Sequence, residues 1–150
     1  MALLTEKIAT LKLQPPLSVP SGTSVREVIG RVQADDAGSV LVLDGEKLVG
    51  IMTERDVLMK VVARDVDSSA PVDQFMTPNP RTLSPNSTIG EAMALMGREG
   101  FRNVPIIDND GAIGLIRIQD IIDFLAESFP EQVINLPPRP HQKMTTAEGA

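Results

Sequence analysis

Thr53 and Asp56 stand three residues apart immediately after an apolar run, where a strand would hand over to a helix. A carboxylate at such a place can accept two hydrogen bonds from the vicinal hydroxyls of a ribose. Charge-assisted bonds of that kind are worth roughly 1.5–3 kcal/mol each. The Thr53 hydroxyl is spaced to meet a ribose oxygen or a phosphate, and Ile51 on the preceding run can flank a purine. The same pair also reads as local structure. Thr53 suits an N-cap and Asp56 the third helical position, a relative of the capping box. An acid in the first turn further suits the helix dipole. On this copy alone both readings stay open.

The segment recurs. Gly50-Ile51-Met52-Thr53-Glu54-Arg55-Asp56 returns 64 residues on as Gly114-Leu115-Ile116-Arg117-Ile118-Gln119-Asp120. Val40-Leu41-Val42-Leu43-Asp44 falls on Val104-Pro105-Ile106-Ile107-Asp108, and Ser24-Val25-Arg26-Glu27 on Thr88-Ile89-Gly90-Glu91, in the same register. An internal repeat of this size sets the architecture. The copies differ where Thr53 becomes Arg117. Arginine has no oxygen with which to cap a helix, yet Asp120 keeps its place. That pairing adds weight to a ligand role for the acid.

The elements that must position these residues follow from the pattern around them. Leu3, Leu4, Lys7, Ile8 and Leu11 predict a short amphipathic helix over 2–11. Pro15, Pro16 and Pro20 then hold the chain extended. Ser21 to Ser24 form a turn and cap signal ahead of a helix face of Val25, Val28, Ile29 and Val32. Val40–Leu43 reads as a buried strand, Asp44-Gly45 as a hairpin turn, Leu48–Met52 as the returning strand. A helix from Thr53 to about Val62 turns Val57, Leu58 and Val61 inward. In the second copy Val72–Met76 mirrors the N-terminal helix as a short turn, and Ile89, Ala92, Met93 and Met96 form the helix face. Asp108 to Gly111 make the turn, and a helix over 119–128 closes the unit. Each unit is thus strand, helix, strand, turn, strand, helix. Some 50 residues of this kind bury too little surface to stand alone, and two copies packed face to face solve that. The expected division is 1–66 for the first unit with its N-terminal helix, 67–129 for the second, and 130–150 for an extended, then disordered, tail carrying Leu136-Pro137-Pro138-Arg139-Pro140.

Composition narrows the function classes. The 150 residues are 42% hydrophobic, with no Trp, no Tyr and four Phe, so the core must be aliphatic. The absence of Cys excludes disulfides and thiolate metal sites. A formal charge of −6 argues against nucleic acid and anionic membrane as partners. Apolar runs are strand-sized, short of the ~20 residues that span a bilayer. No signal-peptide layout opens the chain, so a cytoplasmic location is expected. No His/Glu cluster suggests a metal. The single His, His141, lies in the expected tail, and Asp108 and Asp110 read as turn formers. Met93 and Met96 read as core, while Arg55 suits either an acidic neighbour or a phosphate. No base–nucleophile arrangement supports an enzyme.

With the repeat in view, the chain resembles a pair of CBS domains, the regulatory modules first named from cystathionine β-synthase. The matching stretches are Gly50 to Asp56, Asn103 to Asp108, and Gln74-Phe75-Met76-Thr77-Pro78-Asn79-Pro80, within a resemblance spanning roughly residues 5–128. It implies an α/β (α+β) fold of two tandem βαββα units packed about a pseudo-twofold axis, a cleft with two candidate sites, and a homodimer. It also implies an adenine nucleotide ligand (AMP, ADP or ATP), no further cofactor, and an effector protein regulated in trans. Carried over by residue, Thr53 and Asp56 match the ribose-binding positions of the first site. Asp120 matches the second, with Arg117 in place of the hydroxyl, either clashing with a ligand or adding charge for a phosphate. Arg102 matches a basic phosphate-contact position whose first-copy counterpart is Gly38, and the Val19 and Leu83 segments would line the adenine pocket. The alternative is a ligand-free structural or dimerisation module in which Thr53 and Asp56 only cap a helix.

Overall fold

The computed structural model describes residues 2–35, 38–109 and 111–128. The expected tail, with His141 and the proline cluster, and turn residue Asp110 lie outside the described residues. The first half runs β1 (Ser18–Pro20), α1 (Val25–Ala34), β2 (Ser39–Asp44), β3 (Lys47–Thr53) and α2, which begins as Glu54–Asp56 and continues as Val57–Val62. The second runs β4 (Thr77–Pro78), α3 (Ile89–Glu99), β5 (Asn103–Asp108), β6 (Gly111–Arg117) and α4 (Ile118–Ser128).

The two halves repeat in detail. β2 and β3 pair antiparallel with a bulge between Val42 and Leu43, and β5 and β6 with a bulge between Ile106 and Ile107. β1 runs parallel to β2, setting Val19 opposite Val42, and Leu83 bridges in parallel to Ile106. The first hairpin loop is Gly45-Glu46, one residue later than Asp44-Gly45, because Asp44 still pairs with Lys47. Its first position needs a positive φ, supplied by Gly45 (64°) and, in the second copy, by Asn109 (50°). Ser24 Oγ accepts from Glu27 N to start α1, while Thr88 and Glu91 form a full capping box on α3.

Packing does not follow the division at residue 66. The predicted N-terminal helix is two short 3₁₀ turns, Ala2–Thr5 and Ile8–Thr10, and they serve the second half. Ile8, fully buried, sits among Ile89, Ala92, Val104, Ile106 and Ile116. Its N–H donates to the Ser87 carbonyl at 2.8 Å, and Ile89 N–H donates back to the Glu6 carbonyl at 2.9 Å. The connector after the first half crosses the opposite way: Val72 is buried with Val19, Val25, Val28, Val40 and Met52. β4 joins the edge of β3, with Thr77 opposite Ile51, and Gln14 bridges to Leu115 at the corresponding edge. Each half is therefore completed by the segment that precedes the other, which ties the two into one folding unit. The repeat glycines mark these crossings. A Cβ on Gly50 would collide with the Met76 side chain, and one on Gly114 would press on Leu13 at 3.2 Å. Leu41, Ile51 and Leu115 form a further cluster that joins the two sheets near the pseudo-twofold axis.

Two helical expectations are corrected. α3 buries Ile89, Ala92, Leu95 and Met96, whereas Met93 is 41% exposed. α2 widens after Asp56: Ala63 N–H reaches the Leu58 carbonyl and Val66 N–H the Val61 carbonyl, both five residues back. Val57, Val61 and Val62 are β-branched and weak helix formers. Val61 faces inward as expected, but Leu58 is 60% exposed.

Candidate functional site

β3 ends and α2 starts on the wall of a crevice of about 830 Å³ between the two halves. Ile51, Thr53 and Asp56 line it from the first half, Arg102 and Pro105 from the second, and Thr77 from the crossing segment. The crevice also takes in Arg55, Arg81 and Phe101. Arg117 and Asp120 do not line it. They occupy the equivalent strand-to-helix turn of the second copy.

The geometry at Asp56 explains why the acid is buried. The Thr53 hydroxyl accepts from Asp56 N at 3.1 Å, and Asp56 Oδ2 accepts from Thr53 N at 3.0 Å, a closed capping box. The Thr53 hydroxyl also donates to Oδ2 at 3.0 Å. The other oxygen, Oδ1, accepts from the Thr77 hydroxyl at 3.3 Å and pairs with Lys60 Nζ at 3.0 Å. The two oxygens thus differ in partners: Oδ2 holds the helix start and also lies 3.4 Å from the Thr77 hydroxyl, whereas Oδ1 is held by the Thr77 and Lys60 side chains. The Lys60 side chain is 33% exposed, so its hold on Oδ1 is weak.

Sequence reasoning passed over Thr77, Lys60 and Phe101. Lys60 was legible as the i+4 partner of Asp56 on one helix. Thr77 was not, because its approach depends on the crossing of β4 to the edge of β3. Val19 and Leu83, expected on the adenine wall, do not line the crevice. Val19 is a core residue of the first half, and Leu83 packs against the core of the second.

The crevice gathers three arginines, balanced by Glu54, Asp56 and Glu99, in a chain that is acidic overall. Arg81 Nη2 lies 3.8 Å from Glu99 Oε2, a loose pair. Among the described residues neither Arg55 nor Arg102 has an ion-pair partner. Three guanidinium groups around one cavity, with three acids (Glu54, Asp56 and Glu99) and two threonine hydroxyls on its wall, suit a ligand with an anionic end and a polyhydroxyl middle.

At the second turn Asp120 is also buried, but its partners differ. Asp120 Oδ2 accepts from Arg117 N at 2.8 Å and from Arg117 Nε at 3.2 Å, and Oδ1 accepts from Nη2 at 2.8 Å. Arg117 therefore supplies its own reason for Asp120 to persist. The weight that the unequal pairing seemed to lend to a ligand role at Asp120 is withdrawn. The hydrogen bonds that Arg117 donates to Asp120 raise the pKa of its guanidinium above the ordinary value.

Among the described residues no helix is long and apolar enough to cross a membrane, and no cluster of His, Cys, Asp and Glu could hold a metal ion.

A duplicated α/β unit, with the strand-to-helix turn of its first copy on the wall of a crevice between the halves, defines a paired tandem module. The chain belongs to the CBS-domain family, whose profile matches residues 8–63 and again 72–127. It is 32% identical over 123 residues to an uncharacterized 17.7 kDa protein of Acidianus ambivalens, covering 81% of this chain and 72% of that one. By contrast it spans only 21% of a CBS domain-containing protein of Arabidopsis thaliana that it also matches. Among solved structures, it resembles a CBS domain protein of Pyrobaculum aerophilum complexed with AMP (TM-score 0.71, 24% identity, 81% of this chain and 98% of that one). It also resembles the CBS domain pair of protein MJ0100, in complex with 5′-methylthioadenosine and S-adenosyl-L-methionine (TM-score 0.74, 21% identity, 83% and 98%). At these identities the likeness concerns the fold.

Proposed function

We propose that this chain is a ligand-sensing regulatory module that binds an adenine nucleotide in the first crevice and signals to a partner in trans. The observation that carries the reading is Asp56 Oδ1, a side-chain oxygen of a crevice residue that, among the described residues, is engaged only by the Thr77 hydroxyl and the partly exposed Lys60. Vicinal ribose hydroxyls would bond to Asp56, with Thr53 and Thr77 beside them. The base would lie against Ile51 and Pro105, and the phosphates would meet Arg55, Arg81 and Arg102. AMP-bound and adenosyl-bound relatives of the same fold support an adenine-type ligand. The arginines favour a phosphate-bearing member of that class, AMP, ADP or ATP, over a sulfonium or thioether nucleoside. Asp120 and Arg117 are left to a second crevice that the repeat would set at the equivalent turn of the second copy.

Regulation would act through the packing of the two halves, which the crossing segments couple. Exposed Leu58, Met59 and Val62 on α2 and Ile118 and Ile122 on α4 support a homodimer surface on these helices. A cytoplasmic setting and a protein effector belong to the same reading. The second reading, a ligand-free dimerisation module, is favoured by the capping box that already employs Asp56. Calorimetric titration of the wild-type chain with AMP, ADP, ATP and S-adenosylmethionine separates them. Heat of binding for the phosphate-bearing nucleotides is expected, and flat isotherms for all of them would leave the dimerisation module.

A further inference from the structure

Resting on the first crevice as the nucleotide site, we propose that Arg117 closes the second crevice, so that each chain holds one nucleotide and not two. The two copies of the carboxylate are neutralised by cations of different kinds. Asp56 is paired with Lys60, a point charge on a flexible stem four residues on. Phe124 stands at that place in the second copy, 64 residues after Lys60. Asp120 is instead held by Arg117, which occupies the place of Thr53. Its Nε and Nη2 take one carboxylate oxygen each, at 3.2 and 2.8 Å. A planar fork on both oxygens of a buried acid is more specific than the single contact from Lys60, with the Arg117 side chain itself 40% exposed. A ribose diol would offer two neutral donors in exchange for it, and the exchange is unfavourable.

The surroundings reinforce the lock. The charge of Asp123 nearby adds a smaller stabilisation of the guanidinium to that of Asp120. Arg102 flanks this turn too, its carbonyl accepting from Ile118 N at 3.1 Å, but Arg55 and Arg81 of the first crevice have no arginine counterparts: Gln119 stands for Arg55. Leu17 stands for Arg81, since the two precede by two residues the strand partners Val19 and Leu83. Asn103 lines the first crevice, whereas its counterpart Ser39 is 3% exposed and its hydroxyl has no hydrogen-bond partner among the described residues.

The test is the stoichiometry of AMP and adenosine, measured by calorimetry on the wild type, Asp56→Ala, Arg117→Thr and the double variant. Arg117→Thr installs the hydroxyl cap of the first copy, and Arg117→Ser is a second variant of the same design. The wild type should bind one AMP per chain and lose it in Asp56→Ala. Arg117→Thr should gain a second, weaker site that discriminates less between AMP and adenosine than the first, for want of counterparts to Arg55 and Arg81, and the double variant should keep that site alone. Two AMP per wild-type chain, or no site gained in either Arg117 variant, would overturn the closure. No binding by the wild type with one site in Arg117→Thr would refute the first-crevice reading and uphold the closure. No binding by any of them would overturn both.

Discussion

Replacing Asp56 by alanine removes two functions of one carboxylate, and they are separable in size. On the folding side, the variant loses the Oδ2 half of the capping box. It also loses the pairs from Oδ1 to Lys60 and Thr77. Loss of a cap costs about 1 kcal/mol, and a partly exposed ion pair adds about 0.5 kcal/mol. For a chain of this size about 1.5 kcal/mol lowers the melting temperature by roughly 3–6 °C. On the binding side, two charge-assisted bonds from a ribose diol, at the low end of roughly 1.5 kcal/mol each, come to about 3 kcal/mol. Breaking the Lys60 pair offsets only a few tenths of that. The AMP affinity of Asp56→Ala should therefore fall by about a hundredfold or more, while the variant stays folded at room temperature. Calorimetry and a thermal melt on the same preparation read both quantities. A variant that melts several degrees lower but binds AMP within threefold of the wild type would mean that Asp56 only caps α2, and the reasoning from Oδ1 would fail.

Three further outcomes follow from the fold. Ile8→Ala, near the chain start, should cost about 2–5 kcal/mol in urea unfolding, because Ile8 is fully buried in the core of the second half; a cost under 1 kcal/mol would contradict the segment exchange. Gly50→Ala should destabilise by about 1–3 kcal/mol through its collision with Met76, and Met76→Ala in the same chain should recover most of the loss, as a double-mutant cycle reads directly. Asp73 accepts hydrogen bonds from the Ser21 hydroxyl and, at 2.6 Å, from Gly22 N, and the Ser21 bond foremost holds its carboxyl below the ordinary 3.8. Because the folded value is depressed, this contribution is present above pH 3.8 and lost as pH falls through the folded value. Asp73→Asn should therefore be less stable than the wild type at pH 7, by no more than about 1 kcal/mol for a partly exposed group, and the gap should narrow as pH falls below 3.8; a gap unchanged on acidification would contradict it.

The repeat made most of the architecture legible. Paired strands, mirrored bulges and capped helices follow from apolar runs and turn residues that return after 64 positions. What the sequence hid was which half each connector serves. Ile8 and Val72 carry the same apolar signal whether they pack on their own unit or on the other one, and only three-dimensional closure decides between them. The same crossing hid Thr77, which approaches Asp56 across 21 residues of chain. Met93 was misplaced for a local reason. Helical spacing admits either Met93 or Leu95 beside Ala92, and α3 is rotated to bury Leu95. At the site, Thr53, Asp56, Ile51 and Arg102 are brought to one crevice, while Arg117 and Asp120 turn to each other. That mutual engagement is legible only in hindsight, as an arginine three residues before an acid at a helix start.

The central claim, a nucleotide seated at Asp56 in the first crevice, is met most directly by amide NMR spectra of the wild-type chain titrated with AMP. Saturable shifts centred on Thr53, Asp56, Thr77 and Arg102, with Arg117 and Asp120 unmoved, are the predicted result. An unchanged spectrum at millimolar AMP, or shifts centred on Arg117 and Asp120, would contradict it.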